Sequence, residues 1–449
     1  MGRPDLNRRQ LLTGVGGLAV AGSFGFAALG TGADALASTA HTRVRYWNLF
    51  SGGDGANMIA ILDAFRKAYP DIDVKDSTLT WGNPYYTKLA MAASGNRAPE
   101  LGVMHLGRIP GFAPGRLLDP FDVDLLARYG LREQDFSPAV WKRGMVDGKL
   151  YGVPLDTHVQ ISFYRKDICK KAGLIGDDGK LVAISSPDDW FAALKAAKKV
   201  VKGGLETVGI HANDQNFSWW FFLSFYTQLG GTCLSSDGSD VTFDTDKATQ
   251  VLEFLRKHVT DGYATVGADD GASFTNGSAF VWEGDWSVPV YTGAGLDYGA
   301  TPMPGVFGPP TSQAESHGFV LPHQSNRGGA GNEAAHRLTA FIVKNALEWA
   351  RGGHIPAYLP IQDDADYRKL QPQSEYSSAM DHLAFEPSAW FSGSTGTLSQ
   401  RIGPVVAASN LGSAKPEAAA RKMRGVLEKL LTMKNPMEGT TATEGGPGA

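Results

Sequence analysis

Cysteine is scarce in this chain, and its scarcity limits the kinds of protein that the chain can be. The only two cysteines, Cys169 and Cys233, are too few for a disulfide scaffold and lack the spacing of metal ligands. Neither sign of charge dominates, because 42 basic residues stand against 46 acidic ones. Binding to nucleic acid or to an anionic membrane surface therefore has no electrostatic support. Internal repeats of about 20 to 50 residues are also missing.

Sequence patterns that mark catalytic and metal sites are missing as well. The chain has no G-x-S-x-G, H-E-x-x-H, C-x-x-C, Walker or EF-hand pattern. His317 and His323 are close in the sequence, but no supporting ligands stand beside them. We therefore expect no metal and no cofactor. A glycosidase stays open, because it needs only two carboxylates, which any acidic cleft can offer.

The first 37 residues have the features of an export signal. Arg8 and Arg9 precede a run of apolar and small residues that ends near Leu29, and an A-x-A cleavage pattern follows at 35–37. The paired arginines and the many glycines predict twin-arginine export of a folded protein, with a transmembrane anchor as the alternative. No cysteine follows the leader, so the predicted location, without a lipid anchor, is the periplasm or the extracytoplasmic cell surface. This location permits a bridge between the two cysteines, although folding in the reducing cytoplasm would delay it.

Helix and strand signals alternate along the rest of the chain, which favours an α/β protein. Residues 44–47 are typical of a strand, the glycine-rich loop 51–55 follows, and apolar residues at helical spacing continue to Tyr69. Pro70 ends this helix, and residues 72–74 begin a second strand. Open α/β sheets bind ligands at the carboxyl ends of their strands, so the loop after the first strand is a candidate site.

The later part of the chain follows the same alternation. The patterns predict a turn at 147–149, helices over residues 85–93, 188–201, 246–261, 333–350 and 415–433, and strands over residues 101–106, 150–154, 159–164, 279–282 and 318–321. Residues 436–449 are rich in glycine, threonine and proline and are predicted to be a disordered tail.

Several segments resemble one known family and stand in that family's order. They are YWNLFSGGDG (46–55), AFRKAYPDIDV (64–74), ASGNRAPELGVMHL (93–106), GRLLDP (115–120), DGKLYGVPLDTHVQISFYRKDICKKAGL (147–174), FTNGSAFVWEGDWSVPVY (274–291), TPMPG (301–305), SHGFVLP (316–322) and GGHIPAYLP (352–360). The chain resembles the carbohydrate-binding proteins of ABC importers, in the large extracellular solute-binding family that includes the maltose-binding proteins. Each segment alone is a weak signal, but together and in order they are a strong one.

The resemblance implies a periplasmic-binding-protein-like fold, in which two α/β lobes joined by a hinge enclose a ligand cleft. Lobe I would comprise residues 41–155 and 322–372, and lobe II would comprise residues 156–321 and 373–435. The chain would cross between the lobes at 154–162, at 318–322 and near 365–380. Arg165 and Glu100 depart from the residues that relatives often carry at these positions, which leaves the assignment unchanged.

Sugar recognition needs flat aromatic faces together with hydrogen-bond donors and acceptors, and this requirement selects the candidate site residues. Trp47 and Asp54 flank the first strand–loop–helix junction, Trp81 precedes a turn, and His105 ends a predicted buried strand. The structural alternatives are a core indole for Trp47, a helix cap for Asp54 and a core histidine for His105.

The second group of candidates lies in the central and C-terminal parts of the chain. The resemblance places Asp156 and His158 at the hinge, facing the cleft, and places Trp286 where maltose-binding proteins carry a sugar-stacking tryptophan. Strand alternation puts Glu283 and Asp285 together on one face beside it. The remaining candidates are an aromatic pair, Trp219 and Trp220, of which one or both would face the ligand, together with His317 and Trp390.

The family implies a receptor that binds a sugar or oligosaccharide and delivers it to the transmembrane subunits of an ABC permease. We expect a monomer without catalytic activity. An exported carbohydrate-active enzyme is one alternative. A receptor for a glycerol-phosphate-type solute is another; it would need arginines in the cleft, and only Arg108 is near a predicted cleft loop.

Overall fold

The structure is a computed structural model that describes residues 41–438. The predicted export signal, residues 1–37, lies outside the described residues, as does most of the predicted disordered tail, residues 439–449. Within residues 41–438, no helix combines the length and the hydropathy needed to cross a membrane.

Residues 41–438 form fifteen strands, which are β1 (Thr42–Asn48), β2 (Ile72–Thr78), β3 (Leu101–His105), β4 (Leu118–Asp119), β5 (Met145–Val146), β6 (Lys149–Leu150), β7 (Gly152–Pro154), β8 (Asp156–Arg165), β9 (Val208–Gly209), β10 (Phe280–Gly284), β11 (Tyr298–Pro302), β12 (Ser312–Glu315), β13 (His317–Pro322), β14 (Ile355–Pro356) and β15 (Leu383–Ala384). Strands β5 and β6 pair as a hairpin around the predicted turn at 147–149.

The other strands form two mixed sheets. The six-stranded first sheet has the order β2-β1-β3-β13-β4, and β7 also pairs with β13. Strand β1 is parallel to β2 and β3, whereas β13 is antiparallel to β3, β4 and β7. The seven-stranded second sheet has the order β15-β12-β8-β10-β9, and β11 and β14 also pair with β8. Strand β8 is buried at every position except Arg165, as expected for the centre of a covered sheet.

Helices cover both sheets. They are α1 (Gly52–Ala68), α2 (Asn83–Ser94), α3 (Ile109–Phe112), α4 (Val123–Arg128), α5 (Pro138–Arg143), α6 (Lys166–Lys171), α7 (Pro187–Lys198), α8 (Gln215–Gln228), α9 (Thr245–Thr260), α10 (Asp270–Asn276), α11 (Val288–Gly293), α12 (Gly329–Lys344), α13 (Ala346–Ala350), α14 (Leu359–Gln362), α15 (Ala365–Arg368), α16 (Gln373–Tyr376), α17 (Thr397–Asn410) and α18 (Pro416–Leu431). Short 3₁₀ turns lie at Leu106–Arg108, Glu133–Asp135, Asp285–Ser287 and Ser377–Asp381.

Helix α1 illustrates how the sequence sets these elements. Its buried residues are Met58, Ile61, Leu62 and Phe65, which recur at helical spacing. The helix ends just before Pro70, whose ring and missing N–H do not allow it to continue. The predicted strand–loop–helix–strand unit at the start of the chain is therefore confirmed.

The predicted single helix over 333–350 was wrong in one respect, because the structure has two helices there. Helix α12 ends at Lys344, and α13 begins at Ala346. Asn345 between them leaves the helical conformation with φ −108°, and its side-chain amide donates a hydrogen bond to the Phe341 carbonyl at 2.8 Å. Such a bond from side chain to backbone competes with continuation of the helix.

Each sheet has its own hydrophobic core, so the chain folds into two α/β lobes. The first core includes Tyr46 and Phe65, and Met437, at the start of the predicted tail, packs against it. The second core includes Trp190, Trp282 and the aromatic residues of α8. Cys169 and Cys233 are buried free thiols, so the bridge that the sequence left open is not formed in this structure.

The pairing of the strands locates the crossings between the sheets. Leu155 separates β7 of the first sheet from β8 of the second, within the predicted first crossing. Ser316 separates β12 of the second sheet from β13 of the first, so all of β13 belongs to the first sheet rather than to lobe II. Strand β14 pairs with β8, but Ala357 and Tyr358 after it pack in the first core, so the third crossing near residues 365–380 stays a prediction. The other limits of the lobes stay predictions.

Candidate functional site

A cavity of about 370 Å³ lies where residues from both lobes meet. Several lining residues lie at or just after the carboxyl ends of strands β1, β3 and β10. Open α/β sheets bind their ligands at this edge. The lining residues are Leu49, Phe50, Ser51, Asp54, Trp81, His105, His158, Gln160, Asp214, Asn216, Phe217, Trp220, Trp286, Gln313, Glu315, His317, His354, Glu386 and Ser394.

Aromatic rings form one wall of this cavity. The Trp286 indole meets Trp220 edge to face, with ring centroids 6.1 Å apart, and meets the His158 ring at 5.7 Å. Gly284 makes this position possible, because a Cβ atom there would lie 2.2 Å from the Trp286 ring. Trp81, on the opposite lobe, is 43% exposed, so a ligand in the cavity would meet an indole from each side.

Buried histidines surround Asp156 at the base of the cavity. Asp156 is fully buried, and its carboxylate lies 2.8 Å from His317 Nδ1 and 3.2 Å from His158 Nδ1. It also accepts hydrogen bonds from the Trp349 indole at 2.7 Å and from the His317 backbone N–H at 2.8 Å. These four contacts orient two of the histidines that line the cavity.

His354 completes this cluster from the segment between α13 and β14. Its Nε2 lies 3.0 Å from Asp54 Oδ1, and its ring stacks on Trp349 with centroids 4.8 Å apart. Burial lowers the pKa of His354, but the charges of Asp54 and Asp156 outweigh it and raise the pKa to about 10. His354 therefore carries the positive charge that balances the buried carboxylates.

Burial shifts the pKa values of two other groups at this cluster, His158 and Asp285, in the direction of their neutral forms. Burial, reinforced by the neighbouring His317, lowers the pKa of His158 to about 4. Burial also raises the pKa of Asp285 well above its ordinary value, although His354 acts against it. The base of the cavity thus combines charged and neutral groups, which offers both donors and acceptors to a ligand.

Seven of the predicted site residues line the cavity, namely Asp54, Trp81, His105, His158, Trp220, Trp286 and His317. His105 also fits the structural alternative of a core histidine, because its ring is buried and hydrogen-bonded to Tyr86. Asp54 lies in the first turn of α1, while Ser51 occupies the N-cap position. Contact of these seven residues with a ligand remains a prediction.

Two of the remaining predicted residues lie behind the cavity wall. Asp156 positions histidines as described above. Asp285 is fully buried and accepts a hydrogen bond from the Val159 N–H at 3.2 Å, while its other oxygen lies 3.7 Å from His354 Nδ1. Neither carboxylate lines the cavity, because each is turned inward to groups of the protein.

The other four predicted residues have different surroundings, which corrects their expected place at the cleft. Trp47 lines a separate surface pocket under Lys88, whose ammonium is 5.2 Å from the ring centroid. Trp219 is completely buried behind the cavity wall, where its indole donates a hydrogen bond to Glu386. Glu283 accepts a hydrogen bond from the Tyr291 hydroxyl and lies 3.4 Å from His211. Trp390 packs against the second core.

Sequence reasoning missed several residues of the lining. His354 lies in the segment GGHIPAYLP, which carried part of the family resemblance but was not singled out as a site. Gln160 continues β8 two residues after His158, so the alternation of the strand was a usable signal. Asp214, Asn216 and Glu386 had no comparable signal, because only the packing of α8 and of the C-terminal segment brings them to the cavity.

Glu386 provides a test of how burial affects a lining carboxylate. Its oxygens accept hydrogen bonds from the Trp219 indole at 2.6 Å and from the Gly393 N–H at 2.7 Å. Burial, reinforced by Glu315, raises its pKa from 4.5 to about 7. A raised carboxyl pKa means that its contribution to stability is fully present at low pH and is lost as the pH rises through about 7.

We therefore expect Glu386→Gln to remove a pH dependence of stability. The wild-type free energy of unfolding, relative to this variant, should fall by a few kcal/mol between about pH 4.5 and pH 7 and then stay level. Urea denaturation of both proteins across this range measures the difference. A difference that is independent of pH would contradict the assigned pKa.

Comparison with known proteins identifies the family. Residues 51–347 match the family described as bacterial extracellular solute-binding protein, and this match covers more than half of the chain. The chain belongs to this family, which confirms the resemblance found in its sequence. Membership implies an extracytoplasmic location.

Two relatives are named for different ligands, an oligosaccharide and a glycerol phosphate. The arabinooligosaccharide-binding protein of Bacillus subtilis (strain 168) is 28% identical over 229 residues, which are 49% of this chain and 48% of that protein. This chain thus spans about half the length of that relative. The sn-glycerol-3-phosphate-binding periplasmic protein UgpB of Pectobacterium atrosepticum is 26% identical over 383 residues, which are 78% of this chain and 79% of that protein.

Solved structures share the fold. The GacH receptor of Streptomyces glaucescens GLA.O, known unliganded and with acarbose, gives a TM-score of 0.73 at 20% identity, covering 87% of this chain and 98% of its own. UgpB of Mycobacterium tuberculosis, solved with glycerophosphocholine, gives a TM-score of 0.73 at 18% identity, covering 87% of this chain and 98% of its own. These similarities confirm the two-lobed periplasmic-binding-protein fold.

Proposed function

We propose that this protein binds a neutral sugar or oligosaccharide in the interlobe cavity and delivers it to the permease of an ABC importer. The observation that carries the proposal is the composition of the cavity wall. Indole and phenyl faces of Trp81, Phe217, Trp220 and Trp286 stand beside amide, carboxylate and imidazole groups. Sugars present apolar C–H faces and a rim of hydroxyls, and this wall supplies a partner for each.

The charge of the cavity favours a neutral ligand. Among the described residues, no lysine or arginine lines it, whereas Asp54, Asp214, Glu315 and Glu386 do. Arg108, the arginine expected near the cleft, instead lies over the Tyr86 ring, 4.5 Å from its centroid. A phosphorylated ligand would therefore face these carboxylates, and the charged His354 beside them is already paired with Asp54.

Ligand-driven closure of the lobes is the mechanism that we propose. Trp81 and Asp54 belong to the first lobe, whereas Trp220 and Trp286 belong to the second. A ligand that contacts both sets binds the closed arrangement more tightly than an open one and shifts the population toward it. Permease subunits would then recognise the closed form, with the receptor acting as a monomer.

A receptor for a glycerol-phosphate-type solute is the second candidate, because UgpB relatives match most of the chain. The composition of the cavity argues against it. An exported carbohydrate-active enzyme has less support, since Glu283 and Asp285, the neighbouring carboxylates predicted at the site, lie outside the cavity lining. Asp214 is also engaged, as the N-cap of α8.

Ligand screening with product analysis tests the function. The purified chain is heated with neutral oligosaccharides, glycerol 3-phosphate or glycerophosphocholine, and its melting temperature and the recovered ligand are both measured. We expect a neutral saccharide to stabilise the protein by about 2.7 kcal/mol at a hundredfold excess over its Kd, and to be recovered unchanged. Stabilisation by the phosphorylated solutes alone would favour the second candidate. Turnover of a saccharide would contradict the receptor function.

Export by the twin-arginine route is a separate proposal, which rests on Arg8, Arg9 and the glycine-rich segment after them. Replacing both arginines with lysines should trap the precursor in the cytoplasm, because this pathway reads the arginine pair. Cell fractionation followed by immunoblotting measures the distribution. Undiminished export of the lysine variant, or export in cells without the pathway, would contradict this route.

A further inference from the structure

Asp156, His158, His317 and His354 form a compact group, which we call the histidine cluster. One ligating atom from each of these four buried side chains lies within 4.8 Å of every other. The residues come from β8, β13 and the segment before β14, so their spacing along the chain does not mark them as a group. His317 had no partner near it in the sequence, yet in the fold it has three.

Two buried polar atoms at the cluster lack a hydrogen-bond partner. They are His354 Nδ1 and Asp285 Oδ1, which face each other 3.7 Å apart. His354 Nδ1 also lies 3.6 Å from Asp156 Oδ2. Buried polar groups are rarely left unpaired, so two of them directed at one point suggest a missing binding partner.

We propose that the histidine cluster is a binding site for a transition-metal ion of the zinc class. Three imidazoles and one carboxylate form a donor set that suits zinc, cobalt, nickel or copper ions, whereas magnesium and calcium prefer oxygen ligands alone. Asp285 stands beside the site as a second carboxylate. This inference goes beyond sugar binding and does not depend on it.

The surroundings of the cluster match those of metal ligands in proteins. Asp54 accepts from His354 Nε2 at 3.0 Å, which leaves Nδ1 directed at the cluster. The Trp349 indole and the His317 N–H hold the Asp156 carboxylate in place. Carboxylates and donors behind the ligands commonly orient them in this way and strengthen metal binding.

Metal binding would require a small contraction of the cluster. Ligand atoms around tetrahedral zinc lie about 3.3 Å apart for bonds of about 2.0 Å, so the widest pair must approach by about 1.5 Å. The ion would displace the Nδ1 proton of His354 into solvent and would replace the hydrogen bonds that His158 and His317 make with Asp156. His158, His317 and His354 line the cavity, so any coordination position left open would face the ligand.

Metal titration of the chelator-stripped full chain, prepared without a histidine tag, tests the proposal. Calorimetry with zinc chloride should find one ion per chain, and the melting temperature should rise. Calcium and magnesium chloride should give neither effect. His317→Gln and His354→Gln should each weaken zinc binding at least about 100-fold, since even partners behind the ligands contribute about 10- to 100-fold.

His323→Gln is the matched control, because His323 pairs with Asp119 in the first lobe and not with the cluster. It should bind zinc as the wild type does. X-ray absorption of the zinc-loaded wild type needs no variant to fold, and it should find three imidazole nitrogens at about 2.0–2.1 Å. Absence of zinc binding, unchanged binding in the cluster variants, or a shell with fewer than two imidazoles would overturn the proposal.

Discussion

Trp286→Ala is expected to weaken ligand binding by about one to two decades. The indole presents a flat apolar face in the cavity, and loss of this stacking surface costs roughly 1 to 3 kcal/mol. Trp220 and His158 meet its ring edge to face, so the face that a sugar would cover is held in place. Calorimetry with the saccharide identified by screening measures the change.

Trp47→Ala is the matched control for this variant. It removes an indole of the same size from a separate surface pocket, where Lys88 covers the ring. Its ligand affinity should equal that of the wild type, and circular dichroism should show that both variants are folded. Equal affinity of the Trp286 variant and the wild type would exclude Trp286 as a ligand contact.

Gly353→Ala is expected to be the most destabilising single-methyl addition near the site. Gly353 has φ +107°, and a Cβ atom there would lie 1.9 Å from the Asp285 carbonyl oxygen. The backbone next to the buried Asp285 must shift to make room, so we expect a loss of at least about 3 kcal/mol from strain and overpacking together. His354 is the next residue, so ligand binding should weaken as well. Urea denaturation measures the free energy of unfolding.

Gly295→Ala separates the cost of backbone strain from the cost of overpacking. Gly295 also has a positive φ, +67°, but no atom lies within 4 Å of its added Cβ. This variant should therefore lose only about 1 to 2 kcal/mol, the cost of a left-handed backbone conformation for a side chain. If both variants lost the same free energy, steric overlap with Asp285 would not be the cause at Gly353.

Secondary structure was predictable where a single local rule applied. The buried residues of α1 recur with the helical period, and Pro70 marks its end. The same reasoning failed at Asn345, where a side-chain hydrogen bond divides a helix without changing the apolar pattern. The second crossing was also harder to place, because the membership of β13 depends on which distant strand supplies its hydrogen bonds.

Site residues were predictable where a large aromatic residue stands in a loop, because such a residue is less often part of the hydrophobic core. Trp81 and Trp286, in loops that follow strands, line the cavity as expected. Trp219 and Trp220 are neighbours with the same chemistry, and only the packing of α8 decides that the second lines the cavity. Glu283 and Asp285 were predicted to contact the ligand from one face of a strand, but Tyr291 and Val159 engage them inside the protein.

The sequence by itself determined the α/β alternation, the family and several of the aromatic residues that line the cavity. These properties depend on short-range periodicity and on ordered segments, which a chain carries before it folds. Only the tertiary structure brought His158, His317 and His354 around Asp156 and turned Asp285 toward them. Such contacts join residues far apart in the chain, so they depend on how two separately packed lobes meet and not on any local pattern.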